Sequence, residues 1–281
     1  IMPSLVGSEM CIRDRKRSIE NSKKHQQPAT LNVKSNLDKL TLNDMQVFRF
    51  NFRHEKNQKI LYLHGGYNTL QPSPFHWRLL DKLTLNTLHE VVLPIYPKSP
   101  DYHYLETFKA IRDVYNQLVE EVGANNIVMM GDGSGGGLAL SFVQSLINDN
   151  QEVPRKLFLL SPLLDATLTN PNITQTLEEN DILVSRFGVH QLMKSWANDL
   201  PLSDARISPL YGTLKGLPPI YMYGGGREIL SPDMHAFTHA LEECGNDVEF
   251  KEYPKMVHDF PIYPIRQSHK VLKHITKSIL E

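Results

Sequence analysis

The chain has 281 residues, enough for one large α/β domain or two smaller ones. Hydrophobic residues make up 41% and charged residues 22%, which excludes a wholly disordered chain, and no apolar run reaches the roughly 18 residues of a membrane span. Lys and Arg number 30 and Asp and Glu 31, a formal charge of −1 that argues against a basic nucleic-acid binder and a strongly acidic solvating protein.

Residues 1–15 stand apart. Met10 to Arg15 (MCIRDR) back-translates to a transposon adapter used in sequencing libraries, so residues 1–15 are expected to be a translated scar outside the fold. Ile1–Val6 is too short and interrupted for a secretory core. Without the scar, Cys244 is the sole cysteine. The two cysteines present form no disulfide framework or cysteine zinc site, and they fit a reducing cytoplasm.

Residues 16–36 are polar and basic, with a helix expected over part of them. Met45–Asn51 and Phe52 alternate apolar and polar side chains, as in a strand. Lys59–Leu63 (KILYL) is a short apolar strand running into His64-Gly65-Gly66, and Glu90–Ile95 is another strand. Phe108, Ile111, Val114, Tyr115, Leu118 and Val122 recur at helical spacing over 104–122, with Gly123 as a stop. Asn126–Met130 is a strand that enters Gly131-Asp132-Gly133-Ser134-Gly135-Gly136-Gly137, and a helix is expected over Leu138–Asn148. A strand at Lys156–Leu160 precedes a polar and helical stretch over roughly 166–206. Strands at Pro219–Tyr223 and Val248–Tyr253 then alternate with helices near Asp233–Cys244 and Arg266–Leu280. This alternation predicts a mostly parallel sheet covered by helices on both faces.

In such sheets function gathers at the carboxyl ends of the strands. Four strand ends carry unusual residues: His64-Gly65-Gly66, the 131–137 glycines, Gly224 to Glu228, and Met256 to Phe260. Glycine-rich ends can bring backbone N–H groups close to a ligand. Ser134, Glu228 and His258 follow one another in the order nucleophile, acid, base.

These strings together resemble the hormone-sensitive-lipase group of α/β-hydrolase esterases. That group reads HGGG, GDSAGG, D-x-L and a histidine followed by a small residue and Phe. Here the matching strings are His64-Gly65-Gly66-Tyr67, Gly131-Asp132-Gly133-Ser134-Gly135-Gly136, Glu228-Ile229-Leu230 and His258-Asp259-Phe260. Ser161 to Asp165 and Ser208 to Tyr211 match framework motifs. The resemblance runs from about residue 47 to the C-terminus. It implies a single α/β-hydrolase domain over 16–281, with a partial helical cap formed by roughly 16–45 and 166–206. Leu177, Ile182, Leu183, Phe187, Leu192, Met193 and Trp196 would give the cap an apolar face.

The elbow departs from the pattern. An ungapped match puts Gly133 in the nucleophile's place and Ser134 one residue later. In the family frame Gly131 and Gly135 flank a strained turn that lacks its hydroxyl. In a shifted frame Ser134 is the nucleophile, flanked by Asp132 and Gly136, and an aspartate is poor where strand and helix approach closely. Both frames stay open at this stage.

The resemblance implies ester hydrolysis on short-chain acyl esters. Ser134 would attack, His258 would take the proton and Glu228 would orient the imidazole. Backbone N–H groups of Gly65, Gly66 and Gly135 would form the oxyanion hole. Asp233 is the alternative acid, although a helix-start carboxylate is its simpler reading. The chemistry needs no metal or organic cofactor. The expected partner is a small ester or carboxylate ligand, with a homodimer left open. The alternative, motivated by Gly133, is a catalytically silent homologue that binds a small molecule. Two weaker patterns are also present. Gly131-x-Gly133-x-x-Gly136 fits a dinucleotide fingerprint, but strands precede it and no acid ends the next strand. His235 and His239 lie four apart on a helix, without a third ligand nearby.

Overall fold

In the computed structural model, residues 16–51 and 58–281 are described. The expected scar at 1–15, and Phe52, lie outside the described residues. Eight strands form one sheet: β1 (Asn36–Leu42), β2 (Met45–Asn51), β3 (Lys59–Leu63), β4 (Glu90–Pro94), β5 (Ile127–Asp132), β6 (Lys156–Leu160), β7 (Ile220–Gly225) and β8 (Val248–Tyr253). Their spatial order is β1-β2-β4-β3-β5-β6-β7-β8. β2 runs antiparallel to both β1 and β4, and every later pairing is parallel. The expected mostly parallel sheet is present.

Seven helices follow in chain order: α1 (Pro74–Thr87), α2 (Tyr104–Val122), α3 (Gly133–Asn148), α4 (Gln175–Asn180), α5 (Arg186–Ala197), α6 (Ser231–Glu243) and α7 (Arg266–Leu280). Residues 16–22 are also helical. The sheet is buried on both sides, and β3 shows why its sequence is apolar throughout. Leu61 and Leu63 pack with α2, α3 and α6, while Ile60 and Tyr62 pack with α1 and α7. A strand covered on both faces has no polar side to alternate with.

Three expectations need correction. Residues 36–42, expected within a cap element, form the edge strand β1, paired from Asn36↔Asn51 to Leu42↔Met45. Its side chains are mostly exposed, so backbone pairing holds it and no apolar stripe announces it. Helix α1 was not expected at all. It begins at Ser73-Pro74, where the Ser73 N–H donates to His76 Nδ1 at 2.9 Å. Proline at the first helical position costs no hydrogen bond. The third correction is α3, which starts at Gly133 instead of Leu138.

Glycine is a weak helix former, yet this helix start is set by packing. A side chain at Gly135 would place its Cβ 2.2 Å from the Leu63 carbonyl oxygen and 2.5 Å from the His64 carbonyl carbon. Both neighbours are backbone and cannot rotate away. Gly135→Ala is therefore expected to force β3 and α3 apart, costing about 3 kcal/mol, the upper end of typical overpacking. Thermal unfolding should show a melting temperature lower by about 6–12 °C. An unchanged melting curve would rule out this close approach.

Candidate active site

β5 feeds directly into α3. Gly133 has φ +51°, in the left-handed region that favours glycine. A Cβ at Gly133 would stand 3.4 Å from His258 Nε2 and 3.1 Å from Asp259 Oδ2. Gly133 thus stands at the strand-to-helix turn beside the His258 ring. Ser134 lies one residue into α3. Its hydroxyl oxygen accepts the Asn68 N–H at 3.2 Å.

His258 and Glu228 do come together. His258 Nδ1 donates to Glu228 Oε2 at 2.7 Å. Glu228 has no exposed surface. Its other oxygen accepts from the Ser161 hydroxyl at 2.8 Å and from the Gly225 N–H. The carboxylate is therefore held by three donors and cannot swing away. Ser161 Oγ also accepts the Asp259 N–H at 3.1 Å, so one hydroxyl ties the acid to the histidine loop. Sequence reasoning placed Ser161 in a framework motif and missed this task; its position at the end of β6, level with the other strand ends, was the available signal.

The second nitrogen of His258 faces a residue that sequence reasoning also passed over. Nε2 lies 3.1 Å from Asp259 Oδ2. Burial disfavours the charged imidazole, but the Asp259 and Glu228 carboxylates outweigh it and hold His258 well above its usual pKa. Burial pushes the Asp259 carboxyl up to about 6, against the pull of His258. The imidazole lies between two carboxyl groups, and both favour its charged form. The family pattern has a small residue after the histidine, and the aspartate at 259 was the visible departure.

The loop after β3 supplies the facing wall. Gly66 and Tyr67 line a pocket of about 180 Å³ together with Ser134, His258 and Asp259. Gly65 packs against Asp132, which accepts from the Tyr62 hydroxyl at 2.6 Å and from His76 Nε2 at 3.0 Å. Burial opposes ionisation of Asp132, but His76 and Tyr62 hold its pKa below the ordinary value. This fixed carboxylate anchors the base of the glycine loop. The Cα side of Gly135, the residue expected to contribute an oxyanion N–H, packs against the Leu63 and His64 backbone. With Gly133 at the elbow, the N–H that follows the nucleophile position belongs to Ser134.

The cap closes the pocket. Leu183, Val184 and Val189 line it from the 166–206 segment. The Asp181 carboxylate accepts from the N–H groups of Leu183, Val184 and Ile229, pinning the segment to the loop that carries Glu228. Met193 and Trp196 are buried as expected, and Trp196 Nε1 donates to Thr107 Oγ1 at 2.9 Å. Ile182 and Phe187 are 78% and 64% exposed, so they do not belong to the cap's packed face. From the N-terminal side, Asn21 Nδ2 donates to the carbonyls of Thr69 and Ser99 at 3.0 and 3.2 Å.

The remaining candidates sort plainly. Asp233 accepts from Asn170 Nδ2 at 2.8 Å and does not meet His258. His235 and His239 pair with different carboxylates, Glu252 and Glu243. Gly136 of the G-x-G-x-x-G string lies against Pro162, so a close chain crossing accounts for it.

Comparison with known proteins agrees with this architecture. The alpha/beta hydrolase fold family matches residues 60–262. An esterase of Acinetobacter venetianus is 33% identical over 208 residues, covering 73% of this chain and 68% of that protein. A triacylglycerol lipase of Mycobacterium tuberculosis is 29% identical over 221 residues, covering 78% of this chain. This chain spans only 46% of the length of that lipase. A candidate esterase of Staphylococcus aureus, solved by crystallography, superposes with a TM-score of 0.96 at 63% identity, covering 98% of this chain and 93% of that one. The family match over most of the chain, with its ordered strand-end motifs and its sheet, shows that this protein belongs to the alpha/beta hydrolase fold family.

Proposed function

We propose that the protein hydrolyses small carboxylic esters with short acyl groups. The observation that carries this reading is the His258–Glu228 pair at the wall of a pocket faced by the glycine loop. An ester carbonyl seated there would develop negative charge on its oxygen as it is attacked. N–H groups of Gly65, Gly66 and Ser134 are the donors for that charge. Leu163, Leu183, Val184, Val189 and Leu230 offer an apolar wall for the acyl chain. A cavity of about 180 Å³ favours small substrates. The esterase and lipase names of the relatives support the same chemistry.

Among the described residues no helix is long and apolar enough to cross a membrane. A cytoplasmic location is part of the proposal and rests on cysteine usage alone.

A second reading is favoured by one observation, the glycine at 133. The protein would then bind a small carboxylate and turn nothing over. The two readings separate in one assay. Wild type should hydrolyse p-nitrophenyl acetate, and His258→Ala should lose on the order of 10²- to 10⁴-fold in kcat. Calorimetric binding of butyrate by a wild type that shows no turnover would instead establish the second reading.

A further inference from the structure

We infer that Asp259 is the general base for the hydrolytic water, standing where the family resemblance expects a serine hydroxyl. This rests on the ester-hydrolase reading and changes its nucleophile. Two departures from the family pattern meet at one point in space. Gly133 removes a side chain, and Asp259 adds one. A Cβ at Gly133 would press to 3.1 Å from Asp259 Oδ2, so the glycine makes room for the carboxylate.

Asp259 is held in place deliberately. Its φ is +52°, in the left-handed region that aspartate adopts more readily than most residues. The Ser161 hydroxyl holds its N–H, and His258 Nε2 holds Oδ2 at 3.1 Å. Its Oδ1 is buried and has no hydrogen-bond partner among the described residues. That oxygen is closed to solvent, so a water O–H would meet Oδ2, which faces the space left at Gly133, on a residue that lines the pocket. Ser134 makes no hydrogen bond to His258 among the described residues; its hydroxyl oxygen accepts the Asn68 N–H at 3.2 Å.

The chemistry balances. Water gives one proton to the Asp259 carboxylate as its oxygen bonds to the ester carbonyl carbon. The carbonyl π pair moves to the oxygen and is held by backbone N–H groups. When the pair returns, the carbon–alkoxide bond breaks, and the leaving oxygen takes the proton from His258 Nε2. Asp259 then returns its proton to His258 across their contact. One ester and one water give one acid and one alcohol, with no ester formed on the protein. The raised pKa of His258 and the value near 6 for Asp259 suit an acid and a base working together near neutral pH. The ionisable groups that act on Asp259 are His258, Glu228 and Asp132, with Tyr62, Tyr67, Tyr263 and His76 around them.

The test uses p-nitrophenyl acetate, with thermal melts run on every variant. Asp259→Asn should lose on the order of 10²- to 10⁴-fold in kcat. In wild type kcat/KM should fall below about pH 6 as Asp259 takes up a proton, and that acid limb should vanish in Asp259→Asn. Asp259→Gly, which needs no new packing, should regain turnover as formate is added. A merely structural aspartate would give neither the altered limb nor the formate rescue. A fluorophosphonate adduct on Ser134 in an active wild type, with Asp259→Asn undiminished, overturns the Asp259 assignment and leaves the hydrolase reading standing. A wild type inert toward esters overturns both.

Discussion

The double variant Gly133→Ser with Asp259→Gly is expected to become a serine hydrolase that reacts stoichiometrically with a fluorophosphonate. The elbow already has the required backbone, with φ +51° at position 133. A serine there would set its Cβ 3.4 Å from His258 Nε2, so Oγ can reach hydrogen-bond distance from the base. Seryl backbone strain in this region costs about 1–3 kcal/mol, which the surrounding sheet and helix can hold. Removing the Asp259 carboxylate matters as much as adding the hydroxyl. It frees Nε2 and clears the oxygen that would otherwise lie 3.1 Å from the new Cβ. It also takes away one of the two carboxylates that keep His258 protonated, so the imidazole can act as a base at neutral pH. Gly133→Ser alone should label poorly, because Asp259 still occupies Nε2. Intact-mass measurement of the adduct and a pre-steady-state burst read the result. A folded double variant that stays unlabelled would show that position 133 is not the nucleophile's place.

The second large effect is at Glu228. Its buried carboxylate takes hydrogen bonds from Ser161, Gly225 and His258. The Ser161 oxygen is itself engaged by the Asp259 N–H, which fixes its hydroxyl proton on Glu228. Glu228→Gln must turn an amide NH₂ toward one of these donors. The imidazole then loses the partner that sets its tautomer and orientation. We expect kcat on p-nitrophenyl acetate to fall on the order of 10²- to 10⁴-fold. Glu228→Ala removes the partner outright and leaves the His258 charge unbalanced on that side. Breaking a buried pair this way costs about 3–5 kcal/mol, measurable by urea unfolding. If Glu228→Gln keeps activity within a factor of two, the orienting acid is another residue.

Much of the fold was legible because its signals are local. KILYL at β3 and the strand at β5 are buried on both faces, so each reads as an unbroken apolar run. α2 carries its apolar residues at helical spacing with a glycine after its end. β1 was not legible, because an edge strand with exposed side chains is defined by the neighbour it pairs with. The same holds for the start of α3, where glycines that look unhelical are required by the backbone of β3.

The site divides in the same way. Residue type and order, together with the family resemblance, pointed to Ser134, to His258, to Glu228 as its acid, and to the glycine loop at His64 to Gly66. A histidine needs a carboxylate to orient it, and glycine at a strand end permits close approach to a ligand. Which of Gly133 and Ser134 stands at the elbow could not be read from a string that fits two frames. In the folded chain it is Gly133 that takes a left-handed φ and stands beside His258, and only the structure sets that angle. The partnership of Asp259 with Gly133 was equally out of reach of the sequence. The two are 126 positions apart, and only the packing of the histidine loop against the β5–α3 turn puts a carboxylate oxygen where one glycine has left room for it.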